Sequence, residues 1–163
     1  MMKRLLAGES DRITSEEDKE KQKVVFTQHS LVEEAKHSVH ILLVEDNPIN
    51  QKLARFMLTK GGYQLDVVNN GQEAVDTYTT DPGKFDLIFM DINMPEMDGR
   101  EATRIIREKG FTEVPIIAMT AHALREDREK CLEAGMNDYI SKPIKRDIVF
   151  NMVNKWVFIT DNS

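Results

Sequence analysis

The sequence predicts an α/β fold in which five β-α units build a parallel sheet covered by helices on both faces. Three observations predict it. From about Val39 onward, short apolar runs alternate with amphipathic stretches, several of those stretches begin at a helix-capping signal, and most are closed by glycine.

The first strand is read over residues 40–45 (HILLVE). Asn47-Pro48 opens the first helix, an N-cap followed by proline at the first helical position. Ile49, Leu53, Phe56 and Met57 share one of its faces, and Gly61-Gly62 stops it. A second strand follows over residues 64–69, then a helix over about 72–78, and Asp81-Pro82-Gly83 turns the chain into a third strand, Leu87–Asp91. The third helix follows Asp98-Gly99, with Ala102, Ile105 and Ile106 inward and Gly110 beyond its end. Strand four is Ile116–Thr120. Its helix spans about 125–133, with Leu124, Cys131 and Leu132 on one stripe before Gly135. Strand five covers residues 139–141, and a last helix over about 145–157 presents Ile148, Val149, Met152, Val153 and Trp156 as a broad apolar face.

At 163 residues the chain holds one domain, read over 39–158, with a leader at 1–38 and a tail at 159–163. Residues 1 to about 23 are mostly charged or polar, too poor in apolar groups to offset the entropy of ordering them. The single cysteine, Cys131, excludes an intramolecular disulfide and a multi-cysteine zinc site, which fits a reducing, cytoplasmic compartment. A net charge of −6 argues against a nucleic-acid-backbone binder. Leu5–Ala7 is too short for a signal-peptide core, and nothing approaches the ~20 apolar residues of a membrane span, so no membrane contact is expected.

The chemistry gathers where the apolar runs end. In parallel α/β sheets ligands bind beyond the carboxyl ends of the strands, and those ends carry Glu45 and Asp46, Asp91, Thr120 and Lys142. Three carboxylates brought together need a cation, and hard oxygen donors of this kind suit Mg²⁺. Lys142 offers a fixed positive charge and Thr120 a hydroxyl, which suit the oxygens of a phosphoryl group. The set points to phosphoryl chemistry on a carboxylate.

The segments LLVEDN, FMDINMPEMDG, IIAMTAHA and DYISKP resemble the receiver domain of two-component response regulators, most closely the receivers of hybrid sensor histidine kinases. The resemblance covers about residues 39–158. It implies a flavodoxin-like (βα)5 three-layer sandwich with parallel strand order 2-1-3-4-5. It implies that Asp91 accepts a phosphoryl group from phosphohistidine, with Mg²⁺ or Mn²⁺ bound by Asp46 and Asp91, by Glu45 through a water and by the backbone carbonyl of Asn93. Lys142 would bridge the phosphoryl oxygen and the acid pair, with a cis peptide before Pro143. Thr120 and Tyr139 would form the switch, and Asn93 and His122 would tune the lifetime of the acyl phosphate.

The implied partners are a sensor histidine kinase and a histidine phosphotransfer domain, with room for weak self-association. Such a domain catalyses only its own phosphorylation and dephosphorylation. After Trp156 only VFITDNS remains, so no DNA-binding output domain is expected. A phosphohydrolase of the haloacid-dehalogenase type would need a second aspartate two residues after Asp91, where Asn93 stands, and a histidine kinase would need an ATP lid that the chain lacks. His29 and His37 lie in a polar linker without the flanks of a phosphorylated-histidine box.

Overall fold

The computed structural model describes residues 38–121 and 124–159. His29, His37 and His122, and most of the leader and tail, lie outside the described residues. Five strands form one sheet: β1 (His40–Val44), β2 (Gln64–Val68), β3 (Leu87–Asp91), β4 (Ile116–Thr120) and β5 (Asp138–Ser141). All pair in parallel, in the order β2-β1-β3-β4-β5. The connecting helices are α1 (Pro48–Lys60), α2 (Gly71–Thr80), α3 (Gly99–Glu108), α4 (Arg125–Ala134) and α5 (Arg146–Val153).

Period-two alternation along the strands divides the core into two layers. Leu42, Val44, Ile88, Met90, Ile116 and Ala118 pack with α2, α3 and α4 through Ala74, Val75, Tyr78, Ala102, Ile106 and Cys131. Ile41, Leu43, Leu87, Phe89, Ile117 and Met119 pack with α1 and α5 through Ala54, Leu58, Val149 and Val153. Burying one such large aliphatic side chain stabilises the fold by about 1.5–3 kcal/mol, so the central strands β1, β3 and β4 hold the sheet.

Local chemistry sets the helix ends. The Asn47 carboxamide accepts hydrogen bonds from the amides of Ile49 at 2.8 Å and Asn50 at 3.2 Å, with Pro48 at the first turn. Asn70 and Asp98 cap α2 and α3 in the same way, accepting from Glu73 N and Glu101 N at 2.8 and 2.9 Å. Gly135, at φ +107°, ends α4 in a left-handed conformation that favours glycine.

The predicted helix faces need correction. Ile49, Leu53 and Phe56 do share a face of α1, but it is the outward one, at 77, 41 and 62% exposure, while Ala54 and Leu58 fill the core side. On α3, Thr103 is buried beside Ala102 and Ile106, and Ile105 sits at the edge of the core. The Thr103 hydroxyl donates to the Gly99 carbonyl at 2.8 Å, which satisfies it inside the helix. On α4 only Cys131 of the expected stripe is buried, and Leu124 and Leu132 face outward. Ile148 of α5 is likewise exposed.

The last helix stays α-helical only to Val153 and continues as a wider π-helical segment, Asn154–Ile159. There Lys155 Nζ and Trp156 Nε1 both reach Asp138 Oδ2, at 2.9 and 3.0 Å. At the end of the sheet opposite the carboxyl tips, Arg107 donates to Gly135 O at 2.9 Å, Phe111 O at 3.0 Å and Asn137 Oδ1 at 2.8 Å. One guanidinium thus ties the ends of α3 and α4 to the approach to β5.

Candidate functional site

The strand order reverses between β1 and β3, because the chain moves from β1 out to β2 and then returns to the other side of β1. A crevice at such a switch point is where parallel α/β sheets hold ligands. Glu45 and Asp46 follow β1 there, and Asp91 ends β3 beside them.

Asp91 is 1% exposed. Its Oδ1 accepts from the Asn93 amide at 3.0 Å, and its Oδ2 lies 2.9 Å from Lys142 Nζ. The same ammonium is 2.9 Å from Glu45 Oε2. Glu45 is buried, and its other oxygen accepts from the Asn47 amide at 3.1 Å and Asn50 Nδ2 at 3.4 Å. Asp46 is exposed. Each of the three acids places one oxygen within 4.8 Å of the others. Three clustered carboxylates, only two of them paired with the ammonium, leave a deficit of positive charge, and oxygen donors at this spacing fit a small hard cation such as Mg²⁺.

Burial pushes the Asp91 carboxyl above its ordinary pKa, against the pull of Lys142 and the Asn93 amide, and the charge of Glu45 adds to the rise. For Lys142, burial works to lower the pKa, but the hydrogen bonds to Asp91 and Glu45 overcome it and the ammonium is held above its usual value. The geometry therefore keeps Lys142 charged and Asp91 poorly compensated.

Thr120 is buried at the tip of β4, and Lys142 N donates to its carbonyl at 2.7 Å, so β4 aligns the lysine-bearing segment. The Lys142–Pro143 peptide is cis. Tyr139 of β5 is half-buried against the core layer under α2–α4, and the Arg128 guanidinium of α4 stands over its ring, 4.5 Å from the centroid. Asn93 is exposed. The structure thus gathers Glu45, Asp46, Asp91 and Lys142 into one cluster, with Thr120 at the neighbouring strand tip and Tyr139 farther along β5.

Several supporting residues carried no sequence signal of function. Asn50 and Gln51 lie in the first turn of α1, where Gln51 Nε2 donates to the Glu45 carbonyl at 2.5 Å and to Asn69 Oδ1 at 2.8 Å. The Asn47-Pro48 start places them beside Glu45 and could have pointed to them. At Gly99, a Cβ would meet Met90 Cγ at 2.7 Å and the Asp91 carbonyl oxygen closer still, so only glycine lets α3 approach the tip of β3. A cleft of about 270 Å³, lined by Leu53, Ala54, Pro143, Ile144, Glu45 and Lys142, adjoins the cluster.

Fold and site together define a flavodoxin-like domain with an acidic, cation-competent crevice at its switch point. The family model of the response regulator receiver domain matches residues 41–154, and the chain belongs to that family. Among curated relatives, it is 42% identical over 130 residues to hybrid signal transduction histidine kinase I of Dictyostelium discoideum, covering 75% of this chain and 8% of that protein. It is 40% identical over 109 residues to the sensor histidine kinase RcsC of Escherichia coli, covering 67% of this chain and 11% of that protein. The chain thus spans a small part of the kinases it matches.

Among solved structures, the receiver domain of a sensor histidine kinase from Pseudomonas aeruginosa, with a magnesium ion coordinated in its active-site cleft, is 45% identical at a TM-score of 0.68. That match covers 74% of this chain and 98% of the other. The receiver domain of Saccharomyces cerevisiae Ssk1, crystallised with the histidine phosphotransfer protein Ypd1, is 32% identical at a TM-score of 0.70, covering 76% of this chain and 91% of the other. The chain is a phosphorelay receiver domain, and among its described residues no helix is long and apolar enough to cross a membrane.

Proposed function

We propose that Asp91 is the phosphoacceptor of this receiver and that Glu45, Asp46, Thr120 and Lys142 serve its phosphorylation. One observation carries the reading: Asp91 is buried at the switch point, with one oxygen on the Lys142 ammonium and two further carboxylates at cation-sharing distance. An Asp91 oxygen attacks the phosphorus of a phosphohistidine. The P–N bond breaks, its electron pair returns to the imidazole, and an acyl phosphate forms on Asp91. Lys142 balances the charge on a phosphoryl oxygen, and the Thr120 hydroxyl donates to another.

The carboxylates of Glu45, Asp46 and Asp91 and the Asn93 carbonyl would hold Mg²⁺, or Mn²⁺ in its place, and the bound ion would neutralise phosphoryl charge. Thr120 and Tyr139 form the switch that reads the phosphate, and Asn93 and His122 tune its lifetime. This domain catalyses only its own phosphorylation and dephosphorylation, and a parent protein that carries it could be a hybrid histidine kinase.

The donor is a histidine-bearing helical domain of a cytoplasmic kinase or phosphotransfer protein. The exposed stripe of Ile49, Leu53 and Phe56 supports this, since it adjoins the cleft beside Glu45 and Lys142 and offers an apolar seat next to the acceptor. The acidic balance of the chain leaves nucleic acid outside this reading.

Incubation with acetyl phosphate, resolved on a phosphate-affinity gel, tests the assignment. Wild type acquires a retarded band that requires Mg²⁺, and Asp91→Asn acquires none. A retarded band of wild-type intensity in Asp91→Asn would overturn the assignment.

A further inference from the structure

We propose that Arg128 is a positioning residue of the switch: its guanidinium over the Tyr139 ring holds that ring in the resting arrangement and so weakens the site's hold on a phosphoryl group. The inference rests on the reading of Asp91 as phosphoacceptor and Tyr139 as switch residue, and adds to it a counterweight on another element. Arg128 lies on the exposed side of α4, and its guanidinium stands 4.5 Å from the ring centroid, within the range of a cation–π contact. Tyr139 also packs, partly buried, against the core layer beneath α2–α4. The residue is therefore in contact with both the core and the cation.

Tyr139 pairs with Ala118 in β4, two residues before Thr120. A ring that moves inward toward Thr120 leaves the guanidinium behind and breaks the contact. An interaction present in one of two states stabilises that state alone, and a ligand that selects the other state binds more weakly by the corresponding factor. A cation–π contact at an exposed position carries a factor of about two to five. Arg128 contributes no group to the carboxylate cluster. Its effect on phosphoryl binding reaches the site only through Tyr139.

The test is a titration of the full chain with beryllofluoride, an anion that occupies the place of a phosphoryl group, in saturating Mg²⁺ and followed by ¹⁹F NMR of the bound fluoride. Arg128→Ala is expected to bind about two- to five-fold more tightly than wild type, and Arg128→Lys, which keeps a cation over the ring, to fall between them. In a Tyr139→Leu background the replacement of Arg128 is expected to have no effect. Equal or weaker binding by Arg128→Ala would overturn the inference and leave the Asp91 reading standing. A tightening that persists undiminished in the Tyr139→Leu background would also overturn it, because the effect would not pass through the ring. Wild type that binds no beryllofluoride would overturn the Asp91 reading and this inference together.

Discussion

Asp91, the proposed phosphoacceptor, shows how a residue placed for chemistry strains its own fold. Its carboxyl group is buried beside a second buried acid, Glu45, and the two share one ammonium. Replacing Asp91 by asparagine keeps the shape and removes a charge, leaving Lys142 paired with Glu45. In EDTA, Asp91→Asn is expected to be about 1 kcal/mol more stable than wild type, a rise of a few degrees in Tm by thermal melt. Mg²⁺ should raise wild type more than the variant and narrow the gap. A variant less stable than wild type in EDTA would show that the acid cluster stabilises the fold.

A second acid behaves in the opposite way. Burial acts to raise the Asp138 pKa, but hydrogen bonds from Lys155, Trp156 and the Tyr139 amide outweigh it and hold the carboxyl below its ordinary value. Because the folded pKa is depressed, the stabilisation is present above the unfolded value of about 3.9 and is lost as pH falls through the folded one. Asp138→Asn should therefore cost about 1 kcal/mol at neutral pH by chemical denaturation, a cost that disappears in acid below the carboxylate range. A cost that stayed constant with pH would trace the effect to packing.

At the scale of the element, much was legible because local rules act locally. Asn47-Pro48 and Asp98-Gly99 fixed helix starts through side-chain caps that need no tertiary partner. The apolar runs marked β3 and β4 to the residue, since strands buried on both faces have no other place in the fold. The direction of the helix faces was not legible. Periodicity groups Ile49, Leu53 and Phe56 on one side of α1, but the smaller pair Ala54 and Leu58 faces the sheet. Nor could spacing distinguish buried Glu45 from exposed Asp46, which depends on where β1 ends and on what Lys142 reaches. Arg128 and Tyr139 meet across two elements and eleven positions, beyond any local pattern.

For the whole molecule, the proposed function assigns docking to the outward face of α1 and chemistry to the cleft beside it. Ile49→Ala combined with Phe56→Ala removes exposed apolar surface and should leave stability within about 0.5 kcal/mol of wild type. Labelling by acetyl phosphate should be unchanged, while transfer from a phosphorylated histidine phosphotransfer protein slows roughly tenfold, the loss expected when central apolar contacts of an interface are removed. Equal losses with both donors would place these side chains in the chemistry and not in docking.

The Arg107 guanidinium makes the two ends of the molecule unequal. With its contacts spread over the end of α3, the glycine that terminates α4 and the approach to β5, it ties those three segments together and resists their sliding past one another. A helix pinned at one end and pushed at the other can only tilt. If Thr120 acts as the proposed switch, a displacement started there would swing α4 as a lever about Gly135, with the smallest travel near the pivot and the largest at Leu124, where an apolar side chain already stands in solvent.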